Sequence, residues 1–533
     1  MEIVNIAVEQ DKNIGGHAED SFRVVETQYG KLRGRVSDGL ASFLGVRYGA
    51  NTAGANRFMP PQPVTPWTGI RDALVLGDHC AQSNPDFPVW LDPGPASEDC
   101  LMLSVYCPAS ATESSRLPVM VWLHGGGYSF GSGHAPGYSC GNIAKGGNVI
   151  TVAVNHRLHG FGYTYLGDDE RYGTSGNAGH LDIIEALKWV QANIERFGGD
   201  ASNVTVFGQS GGGGKITTLC GMPAARGLFH KAIVQSGSVM KIRTAREASM
   251  LTDAVFDTLQ LKRGDIQALQ AVPTNTLVRC FDKVGAETNT NCTPYLAFGP
   301  TVDGRVMPDM VWRDDAPDFV RDIPFLIGLN SDEVAVTIGF DMYGLLKADA
   351  DVAKLCVKNQ LLYNYSVDQL VPVVRKYREL MPHLSDAEMV VRVASDIGFR
   401  RGAVIQSELL IARQGAPVYM YECAWKTPCF RGKWAVHGVE LPFIFALDEY
   451  GTAWDGEDTD ALRAAADPEN KRTVVGRHMF DAWVSFARSG NPSTKDLPWP
   501  TYDSSSRTTM VFGPESKLVD DPEREVRGLL MSL

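Results

Sequence analysis

The sequence predicts an α/β protein with one large, mostly parallel central sheet covered by helices on both faces. Three observations predict it. Short, almost wholly apolar runs recur along the chain: Pro118–Leu123, Val149–Val154, Val204–Phe207, Ala232–Val234, Phe325–Ile327 and Val418–Tyr421. Runs of this kind suit strands buried on both faces, as parallel strands are. Helical spacing separates two of them, with Ile184, Leu187, Val190, Ile194 and Phe197 on one face. Finally, Gly208-Gln209-Ser210-Gly211-Gly212 joins a strand to the start of a helix. That G-x-S-x-G turn is so sharp that a Cβ beside the Ser would strike the neighbouring strand or helix.

Length and composition bound the reading. The 533 residues are 44% hydrophobic and 21% charged, ordinary for a globular protein. We expect residues 1–20 to be a loose N-terminal tail and residues 21–533 to form one domain. The net charge of −12, from 50 basic and 62 acidic residues, argues against nucleic-acid or anionic-membrane partners. No run of 18 apolar residues occurs, so no membrane span is expected. The start, Met1 to Lys12, has neither a basic stretch nor a long apolar core. It predicts a cytoplasmic protein, or a secreted or periplasmic one whose leader precedes this sequence. None of the spacings of the 10 cysteines resembles a metal site.

In chain order, Phe22–Thr27 and Lys31–Val36, parted by Gln28-Tyr29-Gly30, read as a hairpin. Residues 81–97 are broken by prolines and carry Phe87 and Trp90, which either wall a pocket or pack down on the body. In a parallel sheet the working groups gather just beyond the C-terminal ends of the strands. Beyond Leu123 comes His124-Gly125-Gly126-Gly127-Tyr128, a strip of uncovered backbone N–H groups suited to holding an oxyanion. Beyond Val204–Phe207 comes Ser210, lifted above the sheet with a helix N-terminus behind it. A phosphate-loop reading of the same glycines fails, because Gln209 stands where its first Gly belongs and Ile216 follows Lys215. Beyond Ile327 stand two adjacent acids, Asp332 and Glu333, and beyond Tyr421, across a loop, stands His437. The order Ser, acid, His is the order of an α/β-hydrolase.

Ordered segments then show a resemblance. They are Phe43–Tyr48, Ser97–Ser104, Trp122–Tyr128, Asn155–Leu158, Gly176–Gly179, Ala186–Ile194, Phe197–Asp200, Ala232–Gly237, Val302–Gly304 and Trp499–Tyr502. With these, the chain resembles the type-B carboxylesterase/lipase family of cholinesterases and bacterial para-nitrobenzyl-type esterases, from about Phe22 to near its end. The resemblance implies an α/β-hydrolase fold with long insertions forming a gorge over the active site. It also implies a serine carboxylesterase needing no metal or organic cofactor, with a small-molecule ester as its partner; oligomeric state is not readable. Ser210 matches the nucleophile, Glu333 the acid and His437 the base. The oxyanion hole falls on the N–H groups of Gly126, Gly127 and Gly211. Ser236 matches a hydroxyl supporting the acid and base. Cys80 and Cys100 match a family disulfide that would close residues 81–99 into a loop over the gorge, and Cys280 and Cys292 match more loosely.

The chain departs from the family pattern at Gln209, where Glu is common, at Gly211, usually Ala, and at Val334, usually Gly. Tyr128, Phe87, Trp90, Tyr295 and Phe298 are candidate substrate-pocket residues, each equally suited to the core. Alternative activities are a lipase on longer acyl chains and an amidase or carbamate hydrolase with the same triad. The short, Pro-rich segment 81–99 favours soluble esters. A cholinesterase-like binding module without activity is disfavoured because all three triad positions are filled.

Overall fold

A computed structural model describes residues 21–83, 92, 94–291, 297–335, 349–358, 365–427, 433–447 and 460–533. Its strands, in chain order, are β1 (Ser21–Thr27), β2 (Gly30–Ser37), β3 (Leu40–Arg47), β4 (Ile70–Asp72), β5 (His79–Cys80) and β6 (Ala96–Ser97). They continue with β7 (Met102–Pro108), β8 (Leu117–Leu123), β9 (Ile150–Val154), β10 (Gly199–Gln209), β11 (Lys231–Gln235) and β12 (Arg243–Thr244). The last are β13 (Thr301–Val302), β14 (Phe325–Asn330), β15 (Val418–Cys423), β16 (Thr509–Phe512) and β17 (Lys517–Val519).

A 13-stranded sheet runs β1-β2-β3-β7-β9-β8-β10-β11-β14-β15-β16-β17, with β4 beside β2. Its centre is parallel from β9 to β16, and the strands before β9 and after β16 along that order pair antiparallel, while β4 joins β2 in parallel. The chain therefore has the mostly parallel sheet that its apolar runs predict. The β1–β2 hairpin pairs Thr27 with Gly30, closing on the predicted turn.

Alternation within single strands separates two cores. Val119, Val121 and Leu123 of β8 point into one, with Val206, Val234 and Ile327. Met120 and Trp122 point into the other, with Phe207, Ile233 and Leu326. A strand has a side-chain period of two, so a run apolar at every position must be covered twice. On the first face lies a helix, Ala178–Asn193, through Ile184, Leu187 and Val190. The second face is covered by the helix Lys471–Ser489, through Met479, Trp483 and Phe486. No helix among the described residues is long and apolar enough to cross a membrane.

The structure corrects one pairing. β5 and β6 form a short parallel ladder that brings Cys80 close to Cys100, but both are free, buried thiols. The two thiols are hydrogen-bonded to each other in place of a bridge. Cys80 Sγ accepts the Leu158 N–H at 3.3 Å, and its hydrogen bond with Cys100, followed by burial, holds the Cys100 thiol well above the ordinary cysteine range. Cys280 is also a free, buried thiol; Cys292 lies outside the described residues, as do Phe87, Trp90 and Tyr295.

Candidate active site

The predicted site residues come from neighbouring strands, each just past its C-terminal end. Ser210 follows β10, Ser236 follows β11, Glu333 follows β14 and His437 lies in the segment after β15. The helices that matter here are α1 (Cys140–Gly147), α2 (His159–Tyr163), α3 (Ala178–Asn193) and α4 (Gly211–Leu219). Ser210 sits between β10 and α4 at φ 55° and ψ −125°, a conformation an L-residue adopts only under strain. The backbone around it tolerates no side chain. A Cβ on Gly212 would collide with the Leu123 carbonyl, and one on Gly211 with the backbone of Gly127. The glycine run into α4, which costs helix propensity of up to about 1 kcal/mol per residue, is what lets the helix stand this close to β8.

That packing brings two loops together. Gly126 and Gly127 turn at φ 84° and 60°, and the Gly126 carbonyl accepts the N–H groups of Ser129 and Phe130. The N–H groups of Gly126, Gly127 and Gly211 donate to no backbone carbonyl among the described residues. They are therefore available to a ligand.

Glu333 is fully buried and bonded at both oxygens. Oε1 accepts the Ser236 hydroxyl at 2.6 Å and the Asn330 N–H at 2.7 Å, while Oε2 lies 2.5 Å from His437 Nδ1. Burial opposes the imidazolium, but the charge and hydrogen bond of Glu333, with Glu440 behind, outweigh it, and the His437 pKa is raised. Asp332 is engaged elsewhere: it ion-pairs with Lys426 and accepts the Ala435 N–H, tying the acid loop to the segment that carries His437. Of the two adjacent acids, Glu333 is the one beside the imidazole.

Nε2 of His437 meets the side-chain amide of Gln209 at 3.1 Å. Ser210, Gln209 and His437 line a cavity of about 240 Å³ together with Gly126, Gly127, Phe130, Ala135 and Tyr138. Two sequence-predicted pocket residues do not line it. Phe298 is buried against Phe281 and His159, with ring centroids 5.4 and 4.9 Å apart, because the core there is aromatic and takes it in. The ring of Tyr128 packs on Tyr163 and His180. Its place is taken by Phe130, two residues on, which the turn at Gly126 directs at the cavity.

Other neighbours escaped the sequence. A π-helical turn at Asp396–Arg400 places Phe399 5.1 Å from the His437 ring; no local pattern announces such a turn. Glu440 accepts hydrogen bonds from Gln235 and Asn330, and burial, then the charge of Glu333, push its pKa up to about 7. Its position three residues after His437 was the available signal. Among the described residues, no group of three or more His, Cys, Asp or Glu is placed to hold a metal ion.

Comparison with known proteins decides the family. The model of the carboxylesterase family matches residues 21–527. The chain belongs to the carboxylesterase family. It is 34% identical to a para-nitrobenzyl esterase of Bacillus subtilis (strain 168), over 95% of this chain and 98% of that one. It is 31% identical to carboxylesterase 1C of Rattus norvegicus, over 92% and 89% of the two chains. Among solved structures, the carboxylesterase EST55 of Geobacillus stearothermophilus superposes with a TM-score of 0.79 at 31% identity, covering 95% of this chain and 99% of that one. A thermophilic PNB esterase gives 0.79 at 33%, covering 96% and 100%. The fold of this carboxylesterase is thus the α/β-hydrolase fold, and the chain is a carboxylic-ester hydrolase.

Proposed function

We propose that this carboxylesterase hydrolyses short-chain carboxylic esters through an acyl-Ser210 intermediate. The observation that carries the reading is the buried Glu333 carboxylate 2.5 Å from Nδ1 of His437, whose far edge faces the cavity that Ser210 lines.

A free Ser hydroxyl is a poor nucleophile, so His437 takes its proton through Nε2 as Ser210 attacks the ester carbonyl. Glu333 fixes the tautomer with the proton on Nδ1 and stabilises the imidazolium that forms. The N–H groups of Gly126, Gly127 and Gly211 receive the oxyanion, each such donor being worth about 3 kcal/mol of barrier. His437 returns the proton to the departing alcohol, and water, activated at the same nitrogen, releases the acid and regenerates Ser210. Gln209 must give up His437 Nε2 for the first step to begin. The cavity of about 240 Å³ is below the range of roughly 300–1,000 Å³ usual for drug-sized ligands, which supports a short acyl group.

The test is hydrolysis of para-nitrophenyl esters from acetate to palmitate by the wild type and by Ser210→Ala. Short-chain turnover that falls by about 10⁴-fold or more in the variant is expected. Turnover confined to long chains above their solubility limit would make the protein a lipase instead.

A further inference from the structure

One charged side chain near this site has no counter-ion among the described residues. Lys215, on the first turns of α4, is fully buried, and its Nζ donates to the His124 carbonyl at 2.8 Å. His124 ends β8 and opens the glycine strip. Lys215 thus crosses between the two pieces of backbone that supply the predicted oxyanion donors: α4, with Gly211 at its start, and the strip, with Gly126 and Gly127 two and three residues past His124.

Its surroundings are unusual for an ammonium. Imidazoles of His124, His156 and His180 lie around it at the ends of β8 and β9 and on α3, and among the described residues the Nε2 atoms of His124 and His156 have no partner. His124 and His156 stack with centroids 5.1 Å apart, and the Tyr163 hydroxyl of α2 meets His180 Nδ1 at 3.2 Å. The remaining charges nearby, Arg157 and Asp182, are spent on each other at 2.6 Å. Burial, and next the charge of Lys215, hold His124 and His156 neutral. A cation that only filled space would be replaced at a profit by an apolar residue, since burying an unpaired charge is costly.

We propose that Lys215 is a positioning residue for ester hydrolysis, its ammonium clamping the His124 carbonyl so that the Gly126, Gly127 and Gly211 N–H groups keep one register. The inference rests on the esterase reading above. Three consecutive glycines have no side chains with which to fix themselves, and two of these have positive φ. The clamp acts on donors that matter only once the oxyanion forms, so its removal lowers kcat and spares KM. The charge also places positive potential behind the strip. Burial lowers the Lys215 pKa to about 7, so that potential fades as pH rises through neutrality.

The experiment uses the full chain and Lys215→Met, which matches the stem and lacks donor and charge. Para-nitrophenyl butyrate gives kcat and KM from pH 6 to 9, and an aliphatic trifluoromethyl ketone, which adds Ser210 to a tetrahedral adduct, gives an inhibition constant. We expect kcat to fall about 10- to 100-fold, KM to change less than threefold, and ketone affinity to fall in step with kcat. The wild-type kcat bends downward above about pH 7 and the variant's does not. A variant with wild-type kcat and ketone affinity overturns the inference, as does a loss carried by KM. If Lys215→Met does not fold, ketone affinity of the wild type against pH decides: weakening above neutrality supports the clamp, and a flat profile overturns it. A wild type that hydrolyses no ester sinks the esterase reading and the inference with it, whereas an active wild type beside an unimpaired variant sinks the inference alone.

Discussion

The amide of Gln209 stands 3.1 Å from Nε2 of His437, the nitrogen that receives the Ser210 proton in the proposed mechanism. With Glu333 bonded to Nδ1, the neutral ring offers Nε2 as an acceptor and the amide fills it. Gln209→Glu puts a carboxylate there, which favours the imidazolium. We expect the acid limb of kcat/KM against pH to move up by about one unit. A limb that does not move would show that the two side chains part in the working enzyme.

Glu440 raises the His437 pKa from behind and itself titrates near 7. Glu440→Gln removes that charge, so the acid limb should move to lower pH. Asn330 Oδ1 has no partner, and turning its amide lets it accept from the new one. Stability follows linkage. The Glu440 pKa is about 7 in the fold against an ordinary 4.5, so the native state holds a proton the unfolded chain has lost. That contribution is whole below 4.5 and disappears as pH rises to 7. Urea midpoints of the wild type should fall across this window by the equivalent of about 3 kcal/mol more than those of the variant. Parallel curves would place the titration on another group.

Gly212→Ala tests the elbow's packing. The new methyl meets the Leu123 carbonyl, which belongs to β8 and cannot withdraw. A loss of about 3 kcal/mol in urea unfolding is expected, with esterase activity falling alongside. Unchanged stability would mean that α4 can move off the sheet freely.

Asp182 accepts from the Arg157 backbone N–H at 3.1 Å and from its guanidinium at 2.8 and 2.6 Å, both residues being fully buried. Asp182→Ala strands the guanidinium, which should cost about 3–5 kcal/mol in the same measurement. Because Arg157 also donates to the Met59 carbonyl, the damage would spread into the N-terminal strands.

The parallel centre of the sheet was legible because full burial leaves a local trace: Pro118–Leu123 and Phe325–Ile327 are apolar at every position. The elbow was legible because its sterics demand glycine. Ser236 and the choice of Glu333 over Asp332 were reached only through family resemblance, since nothing local distinguishes them. The wall of the cavity at Ser210 was less legible. Tyr128 and Phe298 have the composition of pocket walls, but an aromatic ring serves a core equally well, and only the turn at Gly126 selects Phe130. Lys215 looked like part of a failed phosphate loop, because a sequence does not show which carbonyl a lysine will reach.

The four working segments follow β8, β10, β14 and β15, and the acid reaches the base through a loop pinned by Asp332 to Ala435. They are laid down in that order as the chain is synthesised, with Ser210 long before His437. On the proposed mechanism a nascent chain therefore carries Ser210 without His437 through 227 further residues (437 − 210) and cannot turn over esters until it has been extended past β15. Turnover is in this sense a reporter of assembly: ester cleavage appearing during translation would date the docking of the fifteenth strand.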